Sequence, residues 1–249
     1  MRAPLCECFW SYQGEGPWAG APTLFVRTAR CPLRCTYCDS VHSYEERPDF
    51  EVRDADGGVL DRLPNPAVAG ELLARPWSAP RGPGPWLALT GGEPTLWPDF
   101  GRELLAEARA RGFRTMLETA ALAASPLVAL LPHVDCLSMD WKAPSTLHGR
   151  EDLAAVHRTC LGEARERGVG TVVKFVVTAT ASTAELDACL DAIDATGGEA
   201  VLVLQPVTPC LDEPAAPARD LLLGLARHAL DRGADLRLLP QVHRHLGLA

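Results

Sequence analysis

The sequence predicts an α/β fold in which parallel strands, joined by crossover helices, form a barrel or an open sheet. Two observations lead to this prediction. Short apolar segments rich in β-branched residues alternate along the chain with segments of helical periodicity, which is the order that parallel sheets produce. The chain also has 249 residues, of which 47% are apolar, so a large core is available to one domain.

Seven segments are predicted to be strands because each is short, apolar and rich in β-branched residues. They are residues 23–28, 86–90, 114–118, 134–139, 171–178, 200–205 and 235–239. Helices are predicted between several of these strands, where apolar residues recur on one face. The faces carry Phe100, Leu104, Leu105 and Ala108; Leu186, Leu190 and Ile193; and Leu221, Leu222 and Leu225.

One segment interrupts the alternation. Residues from about 43 to 85 are rich in Asp, Gly, Pro and Arg, which favours an irregular insertion beside the chain's main cysteine motif. A single helix is predicted within it, at residues 67–73. No linker or internal repeat divides the chain, so residues 1–249 are expected to form one domain.

Charge and apolar patterning argue against two classes of partner. The formal net charge is -8 and the sequence pI is about 5.4, which disfavours binding to a phosphate backbone. The longest apolar runs are strand-sized, so no membrane span is expected. Nine cysteines, an odd number, and no signal segment favour free thiols in a reducing compartment, the cytoplasm.

Three cysteines lie within eight residues, as Cys31-Pro-Leu-Arg-Cys35-Thr-Tyr-Cys38. This spacing lets one loop present three thiolates to a single inorganic centre and leaves one metal position open. An iron-sulfur cluster is one interpretation of the motif. A zinc site that recruits His42 as a fourth ligand is another, and the triplet alone does not separate the two.

A second motif, Gly91-Gly92-Glu93-Pro94, follows the predicted strand 86–90. Parallel α/β proteins place reactive groups at this edge of the sheet, and paired glycines let a ligand approach the backbone closely. Together, the triplet and this motif resemble the radical S-adenosylmethionine (SAM) superfamily. The resemblance implies a partial, open parallel β/α barrel of about six core strands, with a 4Fe-4S cluster on the cysteines and SAM on its fourth iron.

The block Ser11-Tyr12-Gln13-Gly14-Glu15-Gly16 narrows the resemblance to the 7-carboxy-7-deazaguanine synthase family. Similar blocks follow along nearly the whole chain. They are Cys38-Asp39-Ser40, Thr90-Gly91-Gly92-Glu93-Pro94, Lys142-Ala143-Pro144-Ser145, Leu204-Gln205-Pro206 and Pro240-Gln241-Val242-His243. The resemblance implies a lyase that converts 6-carboxy-5,6,7,8-tetrahydropterin to 7-carboxy-7-deazaguanine, with ring contraction and loss of ammonia.

Individual residues acquire roles through the same resemblance. The implied metal ligands are Cys31, Cys35 and Cys38 for the cluster and Ser40 for Mg²⁺, an ion that prefers oxygen. The residues implied in cofactor binding are Tyr37, Cys38, Asp39, Gly92, Glu93, Asp140, Lys142 and Gln205. Those implied in substrate binding are Tyr12, Gln13, Gly14, Arg27, Thr90 and His243. The guanidinium of Arg27 is suited to pair with the substrate carboxylate.

As partners, the resemblance implies the pterin substrate, an electron donor such as flavodoxin or ferredoxin, and a second subunit in a homodimer. Two rival functions stay open at this point. One is a radical SAM enzyme that acts on a protein partner, and such an enzyme should lack the Gln-Gly-Glu-Gly block. The other is a non-catalytic zinc-binding module, which should not need iron.

The chain departs from the family pattern at two strand ends. Asp140-Trp141-Lys142 stands where Ser-Pro-Lys is more common, and Ala120-Ala121 stands where a polar residue and Gly are common. Arg27 and Ser40 also have purely structural alternatives, as an ion-paired strand residue and as a turn cap. Five cysteines outside the triplet are expected to be packing residues: Cys6, Cys8, Cys136, Cys160 and Cys189.

Overall fold

The computed structural model describes residues 1–148, 152–210 and 212–248. The strands in this part of the chain are β1 (Arg2–Ala3), β2 (Leu5–Tyr12), β3 (Pro22–Thr28), β4 (Asp49–Arg53), β5 (Val59–Pro64), β6 (Ala67–Val68), β7 (Trp86–Gly91), β8 (Arg114–Thr119), β9 (Cys136–Trp141), β10 (Gly170–Val177), β11 (Val201–Pro206) and β12 (Leu236–Leu238). The α-helices are α1 (Ala69–Leu73), α2 (Pro98–Ala110), α3 (Ala124–Leu130), α4 (Ala154–Glu166), α5 (Thr183–Ala195), α6 (Arg219–Asp231) and α7 (Val242–Leu246).

Ten strands form one sheet in the order β12-β11-β10-β9-β8-β7-β3-β2-β4-β5. From β3 to β12 every neighbouring pair is parallel, whereas β2 runs antiparallel to β3. All the strands predicted from the sequence lie in the parallel part, with ends displaced by no more than two residues. The predicted α/β class, with an open and mostly parallel arrangement, is confirmed.

The helices cover one face of this sheet. Leu87 and Leu89 of β7, and Val173 and Phe175 of β10, point to that face and belong to the same buried cluster as the apolar residues of α2. Successive side chains of a strand point to opposite faces. The apolar positions at every second residue therefore determine which face the helices cover.

The opposite face, called the site face below, is apolar at one end and polar at the other. Near the amino ends of the parallel strands it carries a second buried cluster, formed by Phe9, Phe25, Trp86, Ala88, Met116, Cys136, Val172 and Val203. Toward the carboxyl ends the same alternation places polar side chains: Arg27, Thr90, Glu118, Asp140, Lys174 and Gln205. Strand register thus gathers polar residues from neighbouring strands at one edge of the sheet.

Residues 43–85, predicted to be irregular, contain an ordered hairpin. β4 and β5 pair antiparallel, and β4 also pairs with β2, so the hairpin extends the sheet. β6 pairs with β1, and α1 occupies much of the predicted helix 67–73. The charged residues make these strands hard to recognise from the sequence. They form ion pairs across the hairpin, where Arg62 pairs with both Asp49 and Glu51.

Two of the helices begin with recognisable signals. Pro98 is the first residue of α2, a position where proline is favoured because its missing N–H has no partner to lose. Ser182 and Glu185 form a capping box at the start of α5, each side chain accepting from the other residue's N–H. Among the helices that the structure describes, none is long and apolar enough to cross a membrane.

Candidate active site

The motif cysteines lie in a loop that follows β3 directly, and residues 31–40 are called the cysteine loop below. Cys31, Cys35 and Cys38 are free thiols and partly exposed. The loop is anchored beyond β9, because the Thr36 N–H donates to the Thr146 carbonyl at 3.0 Å. Burial raises the pKa of the Cys31 thiol to about 11, so iron, which binds the thiolate, must displace a proton there.

The donor set of this loop fits an iron-sulfur cluster better than a zinc ion. His42, the fourth ligand that the zinc interpretation needs, turns its Nε2 to Glu7 Oε1 at 3.3 Å. Within residues 1–148, 152–210 and 212–248, no three Cys, His, Asp or Glu side chains converge on a position for one ion. Thiolates that hold a cluster bind different irons, so they surround the cluster and do not need to meet at a single ion.

Gly91 and Gly92 bring the end of β7 against the backbone that leads into the cysteine loop. The Gly92 N–H donates to the Thr28 carbonyl at 2.9 Å, and the Glu93 N–H donates to the Arg30 carbonyl at 2.8 Å. A Cβ on Gly92 would lie 2.2 Å from the Arg30 oxygen, and one on Gly91 would lie 2.2 Å from Thr28 Oγ1. No side chain fits at either position, which explains the paired glycines.

Glu93 is fully buried, and neutral donors surround its carboxylate. Oε1 accepts from the Thr95 N–H at 3.0 Å, from Thr95 Oγ1 at 2.5 Å and from Thr119 Oγ1 at 2.6 Å. Oε2 accepts from the Ala120 N–H at 2.9 Å. The side chain therefore joins the ends of β7 and β8, and the cofactor contact predicted for Glu93 would share these oxygens or use the backbone.

The segment after β2 crosses the site face. Gln13 is buried there, and its Nε2 donates to Glu118 Oε1 at 2.9 Å. Gly14 packs against α7, where a Cβ on Gly14 would lie only 1.9 Å from His243 Nδ1. The predicted substrate residues Gln13, Gly14 and His243 are thus brought together, whereas Tyr12 is exposed at the end of β2.

Four charged side chains occupy the centre of the site face, two buried lysines and two partly buried carboxylates. Lys174 on β10 donates to Glu15 Oε2 and lies 2.9 Å from Asp140 Oδ1. Lys142, directly after β9, donates to Asp140 Oδ2 at 3.1 Å and to Tyr37 Oη at 3.0 Å. The two lysines balance the two carboxylates, and the Tyr37 contact connects this group to the cysteine loop.

Ion pairing outweighs desolvation throughout the group. Burial would lower the pKa of Lys142 and of Lys174, but Asp140 in particular raises each pKa well above the ordinary lysine value. Burial would likewise raise the pKa of Asp140 and of Glu15, yet Lys142 and Lys174 lower the pKa of Asp140, and Lys174 lowers that of Glu15, below the ordinary carboxyl value. All four side chains are therefore charged at neutral pH.

Two glutamines extend the group. Gln205 on β11 donates to Glu15 Oε1 at 3.1 Å, and its own Oε1 is buried with no hydrogen-bond partner in the described part of the chain. Gln241, just before α7, donates to Glu15 Oε1 at 2.8 Å and to Asp39 Oδ2 at 3.0 Å. A buried acceptor such as the Gln205 oxygen is suited to a donor on a bound ligand.

Arg27 and Ser40 meet beside β3. Arg27 Nε donates to Glu7 Oε1 at 2.9 Å, and its Nη1 donates to Ser40 Oγ at 3.2 Å. Ser40 Oγ in turn donates to Asp39 Oδ1 at 3.0 Å. Thr90 pairs with Arg27 across β3 and β7 and is buried. Arg27 therefore makes the ion pair of a framework residue while its guanidinium also reaches the cysteine loop.

The turn after β8 shows what the Ala120-Ala121 departure changes. Ala121 has a φ of 51°, a left-handed conformation that costs a residue with a Cβ about 1–2 kcal/mol. Thr119 Oγ1 accepts from the Ala121 N–H at 2.8 Å, and His157 Nε2 lies 2.9 Å from the Ala120 carbonyl oxygen. Burial lowers the pKa of His157 to about 4, so the neutral ring donates through Nε2.

The sequence analysis assigned no site role to five residues of this site: Glu15, Glu118, His157, Lys174 and Gln241. Lys174 had a usable signal, because a lysine between Val173 and Phe175 in a strand is unusual unless it is paired. Glu15 and Gln241 lie inside blocks that resemble the family, although no role was assigned to either. His157 had no signal, since its partner, the Ala120 carbonyl, is distant in sequence. Of the cysteines predicted to pack, four are buried and Cys6 is partly exposed.

A family model described as the radical SAM superfamily matches residues 25–179. A 7-carboxy-7-deazaguanine synthase of Methanothermobacter thermautotrophicus is 32% identical, over 100% of this chain and 98% of the relative. The synthase of the same name from Geobacter sulfurreducens is 34% identical, over 98% of this chain and 97% of that relative. The chain belongs to the 7-carboxy-7-deazaguanine synthase family of radical SAM enzymes.

The crystal structure of QueE from Escherichia coli shares the fold, with a TM-score of 0.64 and 22% identity over 98% of this chain and 95% of that chain. Family membership makes this chain a radical SAM lyase, and the family works with a 4Fe-4S cluster and SAM. The three partly exposed thiols fit that cluster. Membership also rules out the interpretation as a non-catalytic zinc module.

Proposed function

We propose that this lyase converts 6-carboxy-5,6,7,8-tetrahydropterin to 7-carboxy-7-deazaguanine, with ring contraction and loss of ammonia, in 7-deazapurine or queuosine biosynthesis. The observation that carries the proposal is the position of the Gln-Gly-Glu-Gly block. Gln13 reaches Glu118, Gly14 meets His243 and Glu15 binds Lys174, so the block lies across the carboxyl ends of the strands. Synthase relatives that cover the whole chain support the same reaction.

The proposed substrate residues differ in what they offer the pterin. Gln13 and Glu118 present amide and carboxylate groups, which suit the donors and acceptors of a heterocycle edge. Arg27 would pair with the substrate carboxylate through the part of its guanidinium that does not face Glu7. Tyr12, Gly14, Thr90 and His243 complete the proposed substrate set.

When bound, the cluster and SAM supply the radical that removes a hydrogen atom from the substrate. Cys31, Cys35 and Cys38 would hold the cluster. The proposed SAM contacts come from Tyr37, Cys38, Asp39, Gly92, Glu93, Asp140, Lys142 and Gln205. The chain's own task is to fix the reacting carbon of the pterin at one position and to exclude competing molecules.

Ser40 is proposed to hold Mg²⁺ at the substrate carboxylate. Its hydroxyl accepts from Arg27 Nη1 and donates to Asp39 Oδ1, so a hydroxyl and a carboxylate, the oxygen ligands that this hard ion prefers, lie together there. Ser40→Ala is expected to lower activity and to abolish the response to Mg²⁺, whereas Ser40→Thr keeps the oxygen and should preserve both. If the Ala variant responds to Mg²⁺ as the parent does, the ion is bound elsewhere.

The proposal includes three further expectations. An electron donor such as flavodoxin or ferredoxin would reduce the cluster, two copies of the chain would form a homodimer, and the enzyme would work in the cytoplasm. Reduction assays with candidate donors and light scattering of the purified protein address the first two.

The reaction itself is tested by anaerobic reconstitution with iron and sulfide, followed by incubation with the carboxypterin, SAM, Mg²⁺ and dithionite. The expected result is 7-carboxy-7-deazaguanine by mass spectrometry, in an amount that depends on SAM. Cleavage of SAM without this product, in a protein that carries its full cluster, would overturn the proposed substrate and leave the radical SAM assignment intact. Arg27→Lys keeps the charge but loses the planar fork, and should raise the KM for the pterin with iron content unchanged.

A further inference from the structure

A closed series of polar contacts begins and ends on the cysteine loop. It runs from Tyr37 through Lys142, Asp140, Lys174, Glu15 and Gln241 to Asp39, and these seven residues are called the polar ring. Its two ends, Tyr37 and Asp39, are the immediate neighbours of Cys38. The polar ring therefore holds both sides of one cluster ligand.

Asp140 occupies the centre of the polar ring, because each of its oxygens faces a different lysine. Oδ2 lies 3.1 Å from Lys142 Nζ and Oδ1 lies 2.9 Å from Lys174 Nζ. The side chains of Lys142 and Lys174 are only 8% and 6% exposed. Without the carboxylate between them, two ammonium groups would face each other away from water, where unpaired charges are strongly destabilising.

The two halves of the polar ring depend on Asp140 in different ways. On one side, Lys142 reaches Tyr37, so the position of the Lys142 ammonium determines where the tyrosine hydroxyl is held. On the other side, Lys174 donates to Glu15, and Gln241 donates both to Glu15 and to Asp39. A displacement of either lysine is therefore transmitted to a residue next to Cys38.

We propose that Asp140 is a positioning residue, which holds the cysteine loop in the arrangement that the structure shows by pairing with Lys142 and Lys174 at once. The role concerns the loop before any substrate binds, so it does not depend on which substrate the enzyme uses. It also gives a function to the residue that replaces the more common serine at this strand end.

The test measures alkylation of individual cysteines by iodoacetamide in the metal-free, reduced full-length protein, read out by peptide mass spectrometry. Asp140→Asn should speed alkylation of Cys31, Cys35 and Cys38 by about threefold or more, because the loop opens more often. The buried thiols Cys8 and Cys189 serve as internal references and should stay protected.

A second variant separates loop opening from a simple change in thiol reactivity. Removing the negative charge of Asp140 would by itself make the neighbouring thiols more acidic and faster to react, whereas removing the positive charge in Lys174→Met would make them slower. If the polar ring positions the loop, both variants accelerate alkylation. Opposite effects would mean that only the local charge matters, and the proposal would be wrong.

Two further measurements complete the experiment. The double variant Asp140→Asn/Lys174→Met should react no faster than the faster single variant, because both changes break the same contact. Asp187→Asn, which removes an exposed ion pair between α5 and α6, is the matched control and should leave all rates unchanged. Equal acceleration at Cys8 and Cys189 would indicate global loosening and would also overturn the proposal.

Discussion

Two glycine-glutamate pairs, Gly92-Glu93 and Gly14-Glu15, lie at the same edge of the sheet but are built differently. Gly92 faces the backbone of Arg30, whereas Gly14 faces the side chain of His243. Glu93 takes only neutral donors, all from the ends of β7 and β8. Glu15 takes a lysine and two glutamines from β10, β11 and the segment before α7.

The difference shows which part of the site is local and which is assembled over long range. The Gly92-Glu93 pair is fixed by contacts among the ends of three neighbouring strands, β3, β7 and β8, and lies against the cysteine loop. The contacts of the Gly14-Glu15 pair form only when β10, β11 and the chain around α7 are all folded next to the segment after β2. We therefore expect a substitution at Gly92 to affect the cluster, and a substitution at Gly14, which is not part of the polar ring, to affect substrate binding.

The largest effect is expected from Gly92→Ala. The new Cβ would lie 2.2 Å from the Arg30 carbonyl oxygen and 3.1 Å from the Cys31 N, and backbone atoms cannot move aside as a side chain can. Activity should fall by about 100-fold or more, with loss of iron. Gly162→Ala on α4, with 4.0 Å to its nearest neighbour, is the control and should retain full iron content after reconstitution.

A smaller effect is expected from Gly14→Ala. The clash here is with His243 Nδ1 at 1.9 Å, and this side chain can rotate away. The KM for the pterin should rise by about tenfold with iron content and SAM cleavage unchanged. Loss of the cluster in this variant would contradict the division between Gly92 and Gly14.

The pH dependence of stability should report on the Glu93 region through His157. Burial lowers the pKa of His157 to about 4. Between about pH 6.5 and pH 4, the unfolded chain therefore binds a proton at this residue that the folded chain does not bind. The stability due to this group is present above pH 6.5 and is lost as pH falls. From pH 6.5 to 5.5 the parent should lose about 1 kcal/mol more than His157→Gln, measured by urea unfolding of the metal-free protein.

The smallest effect is expected at Ala121. In Ala121→Gly the left-handed conformation is no longer strained, which stabilises the fold. The greater conformational entropy of glycine in the unfolded chain and the loss of the methyl contact act in the opposite direction. The free energy of unfolding should therefore change by less than about 1 kcal/mol. Ala164→Gly, at a buried position inside α4, lacks that relief and should cost about 1–2 kcal/mol. Equal costs would show that the turn after β8 is not strained.

The parallel strands could be predicted to within two residues because most of them are buried on both faces and each reads as a short apolar segment, whereas the edge strand β12 is largely exposed. The β4–β5 hairpin could not, because it lies at an edge of the sheet and carries Asp, Glu and Arg that pair across it. The local half of the candidate site could also be predicted from the sequence, since the cysteine triplet and the Gly-Gly-Glu motif each lie within one loop.

The long-range half of the site was only partly predictable. The sequence indicated Gln13 and Gly14 through their motif, but the residues around that motif do not predict which side chains it contacts in the fold. Glu15 binds residues that are 159, 190 and 226 positions away, and these residues are brought together by the register of β10 and β11 and by the return of the chain before α7. Such pairings become visible only once the sheet is assembled.

Dissolved salt should hardly reach the charges of the polar ring. Mobile ions weaken an attraction when they can come between its partners, and the enclosed ammonium groups of Lys142 and Lys174 leave them little access. A second group of ion pairs, called the outer clamp, is exposed to solvent and its ions. In it, Arg232 at the end of α6 pairs with three carboxylates of α5: Asp187, Asp191 and Asp194. High ionic strength should therefore weaken this outer clamp first and leave the cysteine loop held, so salt-rich buffers are suited to purifying the protein with its loop intact.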